Sequence, residues 1–475
     1  MHSSTVERYR FVSIVLPLGL SDLVLSEPSD PTARNTEMLR HLSGVLSRTA
    51  PGVRHKVVTH GLNLGGHDVS NLIIAEGCRP WAMMCRTACS AADTAHVPAT
   101  MKAATMSAPQ SPLSVQTIRT PKPGSGEVLL KIAACGVCHS DLHVIKGHST
   151  LPTPIVLGHE VSGHVVQYGP HVDDATRARL PLGSPVVATF IMPCGQCYTC
   201  NTGKEEICNK FFQHSRTKGV LYDGTTRMYT LDGSPLAMFS MGGLAEYAAV
   251  PVGGVHPVPA SIPLVDAAIV GCAVFTAYGA CKHSAKLQAG ENVAVFGAAG
   301  GVGSQVVQIA RAFGADRIIA VDVDDARLNR TLSLGATHVI NARSSDVVAR
   351  VREITNGRGV DVAMEVLGKP ETFRQAIDCV TDGGRVVLIG LAPPGTSGEI
   401  EITRLVRREI QVIGSYGGKS RRDVPEIVRM IERGAIDIAN SISTRYPSLE
   451  HANEAYDALA KGQIAGRAVI KVCPS

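Results

Sequence analysis

The stretch Asn292-Val293-Ala294-Val295-Phe296-Gly297-Ala298-Ala299-Gly300-Gly301-Val302-Gly303 decides the reading of this chain. Asn292–Gly297 is a short apolar run and reads as a buried strand; the residues from Gly301 to about Phe313 read as a helix. Between them lies a glycine-rich turn. Glycines let the backbone turn tightly and approach a pyrophosphate, and the helix N-terminus offers free N–H groups and a positive dipole end. Ala299 makes this turn one residue longer than strict G-x-G-x-x-G spacing, and a glycine-rich turn alone is a weak signal. Two features strengthen it: its place between strand and helix, and Asp322, 22 residues after Gly300 at the end of the next strand. A carboxylate there can accept hydrogen bonds from the ribose hydroxyls of NAD and repels the 2′-phosphate of NADP. The competing reading of Asp322 is a solvated turn acid, because Asp324 and Asp325 follow; Arg327 complicates the preference, since a nearby arginine tolerates a 2′-phosphate. The cofactor expected on this reading is NAD, with Gly297, Gly300, Gly301, Gly303, Asp322 and Arg327 around it.

Working outward, strands and helices alternate from this turn onward. Strands are expected at Arg317–Val321, His338–Ile340, Val360–Val366 and Arg385–Gly390, with helices at Asp325–Leu334, Val347–Thr355 and Glu371–Val380. Such alternation builds a parallel sheet covered on both faces, the α/β doubly wound class. Upstream, from Met101 to about Cys272, short apolar runs such as Glu127–Ala133 alternate with Gly- and Pro-containing turns, as β-hairpins do. The expected division is a mostly-β domain over 101–273, a dinucleotide domain over 274–412, and a segment, 413–475, that folds back onto the first. Ala468–Val472 prompts the last expectation, being a strand with no partner in the wound sheet.

Residues 1–100 are unlike the rest: rich in Ser, Thr, Pro, Arg and His, without sustained periodicity, and carrying nine Lys/Arg against eight Asp/Glu. Three readings stand: an organelle-targeting segment, a stretch translated upstream of a true start at Met101, or a disordered regulatory arm. The first places the protein in the mitochondrion or plastid, and a start near Met101 places it in the cytoplasm. The longest early apolar stretch, Phe11–Leu20, is interrupted by Pro17 and is too short to span a bilayer. The formal charge of +5 over 475 residues is small, and no basic block marks a nucleic-acid patch. Neither a nucleic-acid nor a membrane partner is expected.

The 13 cysteines are odd in number and mostly clustered, which reads as metal ligation in a reducing compartment better than as a disulfide framework. The strongest local signal is Cys194-x2-Cys197-x2-Cys200-x7-Cys208. Four thiolates this close can wrap one tetrahedral Zn²⁺ with no position left open, so the ion holds a loop and binds no substrate. Disulfides are the competing reading. Cys135 forms a C-x-x-C with Cys138, but strand period points it away, as a core thiol. Cys78, Cys85 and Cys89 read as ordinary thiols.

From Met101 onward the chain resembles the zinc-containing medium-chain alcohol dehydrogenases, which pair a GroES-like catalytic domain with a Rossmann coenzyme domain. The resemblance rests on Gly158-His159-Glu160, the four-cysteine lobe, Cys138-His139-Ser140-Asp141, Gly-Gly-Val-Gly at 300–303, and Tyr222-Asp223-Gly224-Thr225-Thr226-Arg227. Within the family it looks closest to a plant-type zinc alcohol dehydrogenase-like branch. The resemblance implies that Cys138, His159 and Cys272 hold a catalytic zinc; spacing alone does not pair Cys272 with Cys138, and singly it reads as a small core hydrophobe. It further implies two zinc ions per chain, Glu160 behind the catalytic one, and Asp141 orienting its surroundings. Ser140 would take the alcohol proton and His143 pass it to solvent; their bland readings are a cap serine and a surface histidine. His139, Thr276 and Arg467 are implied coenzyme contacts, His139 standing where the family often has Arg and being charged only at lower pH. Phe190 is a candidate pocket wall. The activity implied is interconversion of alcohols with aldehydes or ketones by hydride transfer to or from NAD, in a homodimer. The alternatives are an NADPH-dependent zinc aldehyde or enal reductase, a glutathione-adduct oxidoreductase, which needs a cationic pocket, and a non-catalytic zinc protein, which should have lost a ligand.

Overall fold

The structure, a computed structural model, describes residues 57–64, 67–75 and 97–473. Val57–Leu64 pairs antiparallel with His67–Ala75, a hairpin that the N-terminal composition does not announce. The rest of the expected N-terminal extension, with Cys78, Cys85 and Cys89, lies outside the described residues.

The glycine-rich turn sits where the sequence places it. Val293–Phe296 is a strand whose every residue is buried, as a parallel strand covered on both faces must be. The Gly301–Ala312 helix follows. Six parallel strands form the sheet, in the order His338–Asn341, Ile318–Asp322, Val293–Phe296, Val360–Glu365, Val380–Leu388, Gln411–Gly414. The chain reverses its winding between Val293–Phe296 and Val360–Glu365, the crevice where doubly wound sheets bind nucleotides. Local chemistry sets the edges of these elements. Asp324 caps the Asp325–Leu334 helix by accepting from Arg327 N at 2.9 Å, and Gly335 ends it in the left-handed region at φ 118°. Two boundaries differ from expectation. The fifth strand begins at Val380, in what reads as helix, and the sixth, Gln411–Gly414, runs past residue 412.

The hairpin-rich half forms two further sheets. A small closed barrel joins Pro235–Met238, Ile155–Val156, Thr100–Met106, Ser114–Arg119 and Met228–Tyr229. The larger sheet centres on Glu127–Val137, which pairs with Val161–Tyr168, Tyr247–Pro251 and Arg467–Lys471. The last of these is the fold-back expected from Ala468–Val472. Its own outer neighbour, Ile442–Tyr446, runs parallel to it and is not evident in the sequence. Arg227 ties this half together: its guanidinium donates to Glu127 Oε1 and Asp223 Oδ2, both at 2.7 Å. Among the described residues no single helix is long and apolar enough to cross a membrane.

Candidate active site

Three chain segments converge below the switch point. Glu127–Val137 ends at Val137, and Cys138 is the N-cap of the His139–Ile145 helix. His159 follows Gly158, whose φ of 95° bends the chain between Ile155–Val156 and Val161–Tyr168. Cys272 caps the Ala273–Gly279 helix. Their ligand atoms lie within 4.8 Å of one another, and all three residues are buried. His159 Nε2 is buried with no hydrogen-bond partner. A buried ring nitrogen with nothing to bond is costly unless a metal takes its lone pair, and two thiols plus one imidazole are a donor set suited to zinc with one position open. These residues therefore fit the ion.

The neighbours of this set fix its orientation. Asp141, wholly buried, accepts from Gly158 N at 2.9 Å and sits 3.0 Å from His159 Nδ1, which sets the ring so that Nε2 is the free donor. Burial alone would lower the basicity of His159, but Asp141 and the Cys138 sulfur outweigh it and raise the ring to about 10. A hydrogen bond from Cys272, aided by the charges of Arg467 and His159, holds Cys138 well below the ordinary thiol range. Glu160 accepts from Ala273 N at 2.8 Å and pairs with Arg467, whose Nε and Nη2 lie 3.1 Å from its oxygens. Arg467 Nη2 also reaches Cys138 Sγ at 3.5 Å and Cys272 Sγ at 3.8 Å. Arg467 thus faces the metal ligands with one edge. Its Nη1 faces the glycine turn, lying 2.5 Å from where a Cβ on Gly301 would stand.

The four-cysteine lobe closes on itself. The sulfurs of Cys194, Cys197, Cys200 and Cys208 are within 4.8 Å of one another. Cys194–Cys200 and Cys197–Cys208 are 4.0 and 3.8 Å apart, which excludes disulfides and matches the edge of about 3.8 Å that Zn–S bonds of about 2.3 Å give a tetrahedron. Backbone N–H groups of Gln196 and Cys197 point at Cys194 Sγ and that of Cys194 at Cys208 Sγ, as they do around thiolates. Cys135 is buried and belongs to neither group.

A cleft of about 470 Å³ runs from the metal ligands to the glycine turn, lined among others by His139, Ser140, His143, Phe190, Thr276 and Arg467. Ser140 and His143 are three apart on one helix face, and His143 Nδ1 lies 3.3 Å from His148 Nδ1 at the surface. Burial, then the neighbouring His148, lowers His143 below its ordinary value. His139 is likewise lowered, chiefly by desolvation, which disfavours its cationic form. A Cβ on Gly303 would lie 2.1 Å from Gly297 O, so only glycine lets helix and strand pack this closely. Asp322 ends its strand and accepts from Ala299 N at 3.0 Å and Val323 N at 2.8 Å. Arg327, which could have tolerated a 2′-phosphate, instead donates to Gly462 O at 2.9 Å and lies 3.6 Å from Asp324.

Several lining residues escape the sequence reading: Phe211, Ser215, Arg216, Phe239 and Tyr416. They come from segments with no periodic or motif signal. Phe190 packs edge-on to His159 at 6.0 Å and to Tyr416 at 5.5 Å, and Phe239 to His159 at 5.0 Å, so the ligand set opens into an aromatic chamber.

Fold and site together define a metal-assisted, dinucleotide-linked oxidoreductase. Comparison with known proteins agrees. Residues 124–260 match the alcohol dehydrogenase GroES-like domain and residues 301–433 the zinc-binding dehydrogenase domain. An S-(hydroxymethyl)glutathione dehydrogenase of Synechocystis is 34% identical over 357 residues, 74% of this chain and 94% of that protein. Among solved structures, benzyl alcohol dehydrogenase of Acinetobacter calcoaceticus has a TM-score of 0.73 at 30% identity, covering 79% of this chain and 99% of that one. Acetophenone reductase of Geotrichum candidum, solved with NAD, has a TM-score of 0.64 at 31% identity, covering 79% and 98%. The chain belongs to the zinc-containing medium-chain alcohol dehydrogenases, and its chemistry is the interconversion of alcohols and carbonyl compounds.

Proposed function

We propose that this protein is an NAD-preferring dehydrogenase of small apolar or aromatic alcohols, carrying one catalytic and one structural zinc. The observation that carries this is the convergence of the buried Cys138–His159–Cys272 set with an aromatic chamber at the open end of a dinucleotide cleft. When bound, zinc on those three residues supplies Lewis acidity toward an alcohol or carbonyl oxygen, and NAD supplies the hydride acceptor. The chain's own residues do the rest. Phe190, Phe239 and Tyr416 position the carbinol carbon and exclude water. Ser140 takes the hydroxyl proton and His143, which lies 3.3 Å from His148 at the surface, carries it outward. The Gly297–Gly303 turn and Thr276 seat the coenzyme, with Arg467 at the phosphates through Nη1.

NAD is favoured because Asp322 stands at the strand end and the neighbouring Arg327 is already committed to Gly462 and Asp324. Asp322→Gly should lower NAD⁺ preference over NADP⁺ by about tenfold or more, measured as the ratio of kcat/KM values. A mutant with the wild-type ratio would remove Asp322 from the assignment.

A homodimer through the dinucleotide domain is supported by Gln411–Gly414, an outer strand with one edge unpaired among the described residues, and by Ile402 and Val406 in the preceding helix, which are 76% and 71% exposed. Ile402→Glu/Val406→Glu should convert a dimer to a monomer in light scattering; a wild type that is already monomeric contradicts the reading. Compartment follows the N-terminus, cytoplasmic for a chain beginning near Met101 and organellar if residues 1–100 serve as a targeting segment. Mass spectrometry of the native N-terminus distinguishes the two.

The direct test is NADH formation with primary, allylic and aromatic alcohols and with S-(hydroxymethyl)glutathione, each with and without a zinc chelator. Chelator-sensitive turnover of aromatic alcohols is expected. Turnover of the glutathione adduct alone would reassign the substrate.

A further inference from the structure

We propose that Arg216 recognises an anionic group on the substrate, which makes the substrate a carboxylated aromatic alcohol or its aldehyde. The proposal rests on the alcohol-oxidising reading of the cleft given above.

Three observations carry it. First, Phe211–Arg216 is a π-helix, whose extra residue per turn re-aims side chains and which recurs at functional sites. Phe211, Ser215 and Arg216 all line the cleft. Second, Arg216 is a half-buried cation without a counter-charge. Arg227, nearby in sequence, and Arg421, which reaches Glu205, are ion-paired, whereas among the described residues Arg216 meets no carboxylate. Its guanidinium lies over the Phe239 ring at 4.9 Å. That contact uses the flat face of the group, and the neighbouring Tyr416 hydroxyl is a neutral partner, so the charge itself stays unbalanced. Third, Ser215 Oγ, fully buried, has no hydrogen-bond partner. A carboxylate in the chamber would neutralise the first group and accept from the second, answering both vacancies at once.

The chamber also joins the cation to the metal ligands. The Phe239 ring centroid lies 5.0 Å from the His159 ring and 4.9 Å from the Arg216 guanidinium. A metal-ligand residue and an unpaired cation therefore share one aromatic neighbour in the same chamber. An aromatic alcohol that carries a carboxylate suits a cleft lined by metal ligands, aromatic rings and an unpaired cation.

The test compares 4-(hydroxymethyl)benzoate with 4-methylbenzyl alcohol on the zinc-loaded enzyme with saturating NAD⁺. Wild type should favour the carboxylated alcohol in kcat/KM. Arg216→Gln should raise its KM by about 100-fold with little change in kcat, while the neutral alcohol loses far less. Arg216→Lys, which keeps the charge but not the fork, should fall between. Equal treatment of the two alcohols by wild type, or equal losses on both in Arg216→Gln, overturns the assignment and leaves the alcohol dehydrogenase reading intact. The wild-type comparison needs no variant and so does not depend on any variant folding. Silence with both alcohols and with the wider alcohol panel overturns the activity reading, and this proposal with it.

Discussion

Cys138→Ser should lower kcat/KM by about a thousandfold or more, from the several kcal/mol of charge stabilisation that a Lewis-acid metal supplies. It should leave the melting temperature within a few degrees of wild type. The reason lies in what surrounds the residue. Cys138 caps a helix whose Asp141 anchors Gly158 N and His159 independently of any metal, and Glu160 is held by Ala273 N and Arg467. The scaffold around the catalytic ligands is therefore tied by hydrogen bonds of its own. The four-cysteine lobe is built otherwise. Its only regular pieces are a four-residue helix, Tyr198–Asn201, and a 3₁₀ turn, Glu205–Ile207, so the ligands themselves supply much of its order. Cys200→Ser should accordingly lower the melting temperature by about 5–10 °C, since a closed zinc site contributes folding energy outright. Differential scanning calorimetry and zinc content on both variants check the pair. Equal destabilisation by the two substitutions would erase the distinction between a catalytic and a structural site.

The second large effect concerns Glu160 and Arg467, an ion pair with both partners essentially inaccessible. Arg467→Met strands a carboxylate in the interior beside two sulfurs and should cost about 3–5 kcal/mol in urea unfolding. Burial already raises Glu160 to about 7 despite the opposing Arg467 charge, which shows how strongly this pocket disfavours an unpaired carboxylate. Glu160→Gln in the Arg467→Met background should recover part of the loss, because two neutral groups carry no unpaired charge. A single-mutant cost below about 1 kcal/mol, the scale of an exposed pair, would show that the pair is not buried in solution. Arg467→Met should also raise KM for the coenzyme, because Nη1 faces the Gly301 turn; an unchanged KM would confine Arg467 to the metal side.

Much of this was legible residue by residue. The wound sheet was readable because each buried parallel strand is a run of Val, Ile and Ala punctuated by glycine, and each helix has a periodic face; strands such as Val293–Phe296 need no partner to be recognised. The four-cysteine lobe was readable because its ligands lie within fifteen residues, so local spacing alone brings them together. Gln411–Gly414 and Ile442–Tyr446 were not evident, since each is a short outer strand with mixed burial and no continuous apolar run. The start of Val380–Leu388 was misplaced because Thr381–Gly384 carries no strand signature, and pairing with Val360–Glu365 decides it.

By itself, the sequence determined the class of fold, the presence of a dinucleotide turn and a thiolate-bound metal, because strand runs, glycine spacing and close cysteines are local properties of the chain. Tertiary structure alone decided which distant groups meet. Cys138 and Cys272 stand more than a hundred residues apart and share a site because two helix starts converge beneath one sheet. Arg467 faces the metal ligands and the glycine turn together because the last strand returns to Glu127–Val137. Arg216 lines the chamber because the Phe211–Arg216 helix packs there, its guanidinium over the Phe239 ring. Such meetings are set by packing and by strand pairing across long separations, which one-dimensional patterns do not carry.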